Sequence, residues 1–216
     1  MDRTATGFIT FEGIEGSGKT TQVRLLSEFL TSKGVQHVVT REPGGTVVGE
    51  KIRALLLDPR SRMVPITELL LYGAARAQHI EEVIEPALGE GKVVLCDRFT
   101  DATAAYQGAG RQLPMNVIRV LNSLASADIK PDLTLLLDLP PSAGLARARA
   151  RNTSAGATST TRFDDEEIAF HTRVRDGYLE IAREEATRVR VIAADPSPEK
   201  VAKQILAHVK RRLSLG

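Results

Sequence analysis

Apolar positions along the chain follow two periods in turn. Short β-prone apolar runs occur at residues 8–11, 35–40, 93–96, 133–139 and 189–193, and each reads as a strand. Between them the apolar residues recur at helical spacing. The first such stretch opens at about Gly18 with Val23, Leu25, Leu26, Phe29 and Leu30 on one face, and Lys33-Gly34 stops it. Further helices are expected over 47–57, from Pro65 to about residue 88 with an interruption near Pro86, over 102–107, 114–127, 142–151, 164–186 and 198–213. The Pro and paired Gly of residues 41–46 predict a turn. Residues 152–161, NTSAGATSTT, have no periodicity and consist of small residues; a mobile loop is expected there.

Strands alternating with helices predict an α/β fold, a five-stranded parallel sheet with helices on both faces. The continuous apolar run Val93–Cys96 suits a strand buried on both sides. With no repeat and no long linker, residues 1–216 read as a single domain. Ligands of such sheets bind beyond the carboxyl ends of the strands. That rule gathers residues 13–20, 41–46 and 97–106 onto one edge.

Composition narrows the function classes. The 29 basic and 27 acidic residues give a net charge of +2, without the basic stripe of a nucleic-acid binder. A lone cysteine, Cys96, sits in the apolar run VVLC and reads as a small buried hydrophobe. The four histidines lack metal-ligand spacing. No segment resembles a signal peptide or spans a bilayer, so a cytoplasmic location with no membrane partner is expected.

The candidate chemistry starts at residues 13–20, Gly13-Ile14-Glu15-Gly16-Ser17-Gly18-Lys19-Thr20, followed by Thr21. This is G-x-x-x-x-G-K-[ST] between a strand and a helix, the context of a phosphate-binding P-loop. Glycine lets backbone N–H groups close around a polyphosphate, and the helix end adds its positive dipole. Lys19 supplies a mobile charge for the outer phosphates, and Thr20 Oγ can ligate Mg²⁺. Asp97 ends a buried strand, where an acid can position the same ion. Arg53, Arg76 and Arg98 fall at or near the same edge, and guanidinium forks suit a monophosphate.

In order and spacing, GIEGSGKTT, TREPGGT, DRFTDATAAYQG and PDLTLLLDL resemble the bacterial thymidylate kinases. The resemblance runs from Phe8 to the last helix. It implies the nucleoside-monophosphate kinase version of the P-loop fold, a homodimer packed through helices, and phosphorylation of dTMP to dTDP by ATP and Mg²⁺. It also implies individual roles. Residues 13–21 hold ATP. Arg53 and Arg98 hold the acceptor phosphate, and Arg76 reaches the thymine O4 edge. Tyr72 stacks on the base, Thr103 and Gln107 read its polar edge, and Tyr106 walls the sugar where a 2′-hydroxyl would be crowded. Glu15 lies by the acceptor sugar and the transfer centre. The bond before Pro43, a residue on the substrate side, is expected to be cis. No basic residue occupies the variable P-loop positions, so the lid type is implied, with a flexible lid at about 148–164. Arg151 and Arg162 are then expected to close over the transferring group, with Arg147 beside the adenine and Arg149 on a solvated helix face.

Two other classes remain open on sequence. One is a kinase of this fold acting on UMP, CMP or a deoxynucleoside. The other is a nucleotide-dependent switch, although the guanine-reading [NT]KxD expected of a GTP switch is absent.

Overall fold

The computed structural model describes residues 6–154, 162–163 and 166–215, without the side chains of 151–154. Its five strands are β1 (Gly7–Glu12), β2 (His37–Arg41), β3 (Val93–Asp97), β4 (Leu133–Asp138) and β5 (Val189–Ala193). They form one parallel sheet in the order β2-β3-β1-β4-β5. The crossovers change direction at β1, and the P-loop leaves its carboxyl end.

Alternation along the strands builds the core. Ile9, Phe11, Leu95, Leu135 and Leu137 face α1 (Lys19–Ser32) and α9 (Pro198–Leu213), which contribute Val23, Leu26, Leu30, Val201, Ile205 and Val209. Phe8, Val94 and Cys96 face the other way, onto Ile80, Ile84 and Phe99. Leu136 on that side meets Phe170, Val174 and Tyr178 of α8 (Ile168–Glu184). The α/β fold with its five-stranded parallel sheet agrees with the expectation from sequence.

The differences lie in the helices. The long helix from Pro65 is α3 (Pro65–His79), then a π-helical turn over Ile80–Ile84, then α4 (Glu85–Gly89). Pro86 cannot donate, and its ring would collide with the carbonyl four residues earlier; the wider turn takes up that conflict. The helix expected over 102–107 begins earlier, as α5 (Thr100–Thr103), and continues as a π-helical segment over Ala104–Gly110. Helices α2 (Val47–Leu57) and α6 (Met115–Ser126) lie close to expectation. Helix α7 (Pro141–Ser154) runs three residues into the expected loop, and the rest of that loop, 155–161, lies outside the described residues.

Candidate active site

The P-loop is forced by its glycines. Gly13 (φ 132°) and Gly16 (φ 71°) occupy the left-handed half of backbone space. A Cβ on either would strike a carbonyl, of Leu137 or of Gly144. Gly18 (φ 93°) then leads into α1, so the free N–H groups of the first turn face the cleft edge. Ile14 and Ser17 are buried beneath the loop, while Thr21 is half-buried one residue into the helix. The Lys19 ammonium is bonded to the carbonyls of Gly13 and Ile14, both at 2.9 Å. Burial, and then repulsion from Arg98, lower its pKa to about 8 against the pull of Asp97, Glu15 and Glu12. Thr20 Oγ1 donates to Asp97 Oδ2 across 3.1 Å. A hydroxyl and a carboxylate oxygen so juxtaposed on the cleft wall are the hard donors Mg²⁺ takes, so this pair fits the ion.

One cleft joins the P-loop to Arg53, Tyr72, Arg76, Arg98 and Gln107. Its cations Lys19, Arg41, Arg53, Arg76 and Arg98 outnumber its carboxylates Glu15, Glu42 and Asp97. Arg98 follows β3 in a left-handed conformation (φ 71°). Its Nη2 donates to Glu15 Oε1 at 3.0 Å, its Nη1 to Tyr178 Oη at 3.2 Å, and its guanidinium lies 4.8 Å from the Tyr106 ring centre. Tyr106 donates its hydroxyl to Glu15, whose oxygens are 2.7 and 2.8 Å away. His171 Nδ1 lies 3.4 Å from Glu15 Oε2, an ion-pair distance without hydrogen-bond alignment, and neither ring nitrogen has a hydrogen-bond partner among the described residues. Burial alone would raise the Glu15 carboxyl; His171, Arg98, Lys19 and Tyr106 together hold it well below the usual carboxylate range.

Beneath Arg98 sits Glu12, the last residue of β1. It accepts from Phe99 N at 2.7 Å and from Tyr178 Oη at 2.8 Å. Burial, then Asp101, push its carboxyl up to about 8, against the opposing pull of Arg98, Tyr178 and the Phe99 N–H. Glu12 therefore holds the peptide that follows Arg98, and Tyr178, itself bonded to Glu12, holds the Arg98 side chain.

The far wall is built on α3. Arg76 is 2% exposed and donates to Glu42 (2.8 Å), Asn122 (2.7 Å), the Phe99 carbonyl and Thr103 Oγ1 (both 3.0 Å). Four of its five N–H groups are thereby used, and one on Nη1 is left for the cleft. Glu42 also meets His79 Nδ1 at 3.0 Å. The Glu42-Pro43 bond is cis, and Arg53 Nη1 donates to the Pro43 carbonyl at 2.8 Å. Tyr72 and Gln107 line the same cleft.

Two cations sit elsewhere. Arg147 donates to the carbonyl of Ala194 at 2.9 Å, beyond the end of β5. Arg162, expected over the phosphates, is engaged by α3 and the end of α2. It donates to Glu68 Oε2 at 2.6 Å and to the Leu56 carbonyl at 3.2 Å, and among the described residues none of its bonds goes to the P-loop. The reason is the buried carboxylate of Glu68, 94 residues away in the chain. The Arg151 side chain lies outside the described residues.

Sequence reading singled out neither Glu12, Glu42, Glu68, His171 nor Tyr178. One signal was there for Glu68: with Tyr72, Arg76 and His79 it forms a polar row at i, i+4, i+8 and i+11 on a helix whose other residues, Thr67 and Gln78 apart, are apolar or small.

Comparison with known proteins identifies the family. The family model described as Thymidylate kinase matches residues 11–205. A thymidylate kinase of Desulfosudis oleivorans is 55% identical over 206 residues, covering 94% of this chain and 96% of that protein. One of Geobacter sulfurreducens is 54% identical over 210 residues, covering 95% and 99%. The crystal structure of thymidylate kinase from Ehrlichia chaffeensis superposes with a TM-score of 0.77 at 37% identity, covering 95% of this chain and 99% of that one. With a P-loop opening onto an arginine-lined cleft and near full-length identity above one half, the chain belongs to the thymidylate kinase family.

Proposed function

We propose that the chain catalyses in-line transfer of the γ-phosphoryl group of ATP, held by Gly13–Thr21, to the phosphate of dTMP, held by Arg53 and Arg98. The observation that carries this is the 3.0 Å bond between Arg98 and Glu15, because it puts the acceptor's guanidinium against the donor's loop. Two polyanions meeting there need their charges neutralised and their oxygens aligned, which fixed cations do without reorganising. Lys19 exchanges the Gly13 and Ile14 carbonyls for phosphate oxygens. Arg98, braced by Glu12 and Tyr178, keeps its aim while its outer N–H groups pass from Glu15 to the acceptor phosphate. Glu15, so released, accepts from the sugar hydroxyl. Thr20 and Asp97 would hold Mg²⁺, which neutralises charge on the transferring group. The remaining Nη1 proton of Arg76 suits the thymine O4, with Tyr72 stacked on the ring and Thr103 and Gln107 at its polar edge. For Arg162 to cover the transferring group it must exchange Glu68 for phosphate, with Arg151 alongside; Arg147 flanks the adenine.

We read the chain as one kinase domain acting as a cytoplasmic homodimer, with nucleotides rather than nucleic acid or membrane as partners. No helix among the described residues is long and apolar enough to cross a membrane. The test is phosphoryl transfer from ATP to dTMP, dUMP, UMP and thymidine. The expected order has dTMP first and thymidine inert, because a neutral nucleoside gives Arg53 and Arg98 nothing to grip. Preference for UMP or thymidine, or ATP consumed with water as the sole acceptor, would reject the assignment.

A further inference from the structure

Gln107 is a base contact on the reading just given, and the inference that follows rests on that reading. An amide offers a donor at one end and an acceptor at the other, and its orientation decides which bases it accepts. The π-helical segment carries Gln107 to the cleft wall opposite Glu68 of α3. Gln107 Nε2 donates to Glu68 Oε1 at 2.7 Å. Glu68 is itself fixed. Its Oε1 also takes Arg111 Nε at 3.3 Å, and its Oε2 takes Arg111 Nη2 at 3.2 Å and Arg162 Nη2 at 2.6 Å. The residue is 1% exposed, so it cannot turn out to water.

A carboxylate can only accept. Opposite it the amide nitrogen must face Glu68, and Oε1 is left toward the cleft that Gln107 lines. The reverse orientation would set two oxygens against each other in a buried place, which costs the full penalty of an unmade bond. We propose that Glu68 is a positioning residue for base selection: it locks the Gln107 amide with its carbonyl toward the base, so that the site takes a ring nitrogen carrying a proton. Arg76, locked by Glu42, presents a donor beside it. A donor next to an acceptor matches the imide edge of thymine and opposes the inverted edge of cytosine.

The first measurement uses the unaltered protein. 5-Bromo-dUMP has an imide N–H that ionises well below that of dTMP. Its affinity relative to dTMP should fall as pH rises through that ionisation, by about tenfold or more once the proton is gone. A ratio that is flat or rises means the amide presents its N–H, and the proposal is wrong. The second measurement uses variants. Glu68→Gln frees the amide to turn, so KM for dTMP should rise about tenfold with KM for ATP within about twofold. The exchange Glu68→Gln with Gln107→Glu rebuilds the bond between the two side chains in mirror form, giving up only the 3.3 Å bond from Arg111 Nε: the new amide gives its N–H to position 107 and its carbonyl to Arg162. It should restore the dTMP to dCMP preference to within about threefold of the original. An unrecovered preference in a folded double variant also overturns the proposal. If the unaltered protein never phosphorylates dTMP, the function reading fails; if it does so with a flat 5-bromo-dUMP ratio, only the role of Glu68 fails.

Discussion

Two buried charges set the pH behaviour of this site. Lys19, lowered to about 8 by burial and by Arg98, is only partly protonated at pH 8 before nucleotide arrives. Phosphate oxygens restore its charge, so ATP binding at pH 8 should take up about half a proton per site. Calorimetry in buffers of different ionisation heat reads this directly, and an uptake of zero would mean the ammonium is already fully charged. Glu12 runs the other way. Its carboxyl titrates at about 8 in the fold against 4.5 for the ordinary group. The folded state therefore holds that proton more tightly than the unfolded chain does. Its stabilising contribution is complete below about pH 4.5 and is lost as pH rises to about 8. Against Glu12→Gln, the protein should thus lose a few kcal/mol of relative stability, on an order-of-magnitude basis, between pH 5 and 8. Urea unfolding at pH 5, 6.5 and 8 checks this; a constant difference across that range would contradict it.

At the scale of elements, the π-helical segment Ala104–Gly110 carries Tyr106 and Gln107 into the cleft while packing on α8. Gly110 makes that packing possible, since a Cβ there would lie 2.7 Å from Phe170 and 2.8 Å from Val174. Gly110→Ala should cost roughly 1–3 kcal/mol by overpacking and raise KM for dTMP several-fold, with KM for ATP little changed. Equal effects on both KM values would show that the segment does not belong to the acceptor half. Neither π-helical segment was legible in the sequence, because hydrophobic spacing cannot distinguish a widened turn from an α-helical one. Strand and helix alternation was legible, since it is written in local periodicity, and so was Lys19, since its motif is contiguous. The strand order was not, nor was Glu12, and Glu68 showed only as one member of a polar row on α3. Each is one acidic residue whose meaning comes from partners up to 166 residues away, as with Tyr178 and Glu12. The bond from Arg162 to Glu68 was not legible for the same reason, since 94 residues separate the two in the chain.

On the scale of the whole molecule, the sheet explains why the site sits where it does, while the outer helices leave something unaccounted for. Helix α6 exposes Val117, Val120 and Leu124 at i, i+3 and i+7, with Val120 70% and Leu124 78% exposed. Its neighbour α3 exposes Ile66 and Leu70, and α2, packed on α3, exposes Val47 and Leu55. Three adjacent helices with apolar outer faces form a patch of the kind that marks an association surface, and a second copy of the chain is the occupant the homodimer reading supplies. The patch also backs the Arg76 wall of the cleft, because α6 contributes Asn122, which takes one N–H of Arg76 at 2.7 Å and donates to the Thr100 carbonyl at 3.1 Å. Association should therefore steady the base-reading wall more than the P-loop. Val120→Glu with Leu124→Lys ought to give a monomer by analytical ultracentrifugation. It should also raise KM for dTMP several-fold while leaving KM for ATP within about twofold. If the unaltered chain sediments as a monomer at micromolar concentration, the patch covers something else. If the variant dissociates with both KM values unchanged, the acceptor wall is rigid without its partner, and the α3 and α6 packing alone holds Arg76.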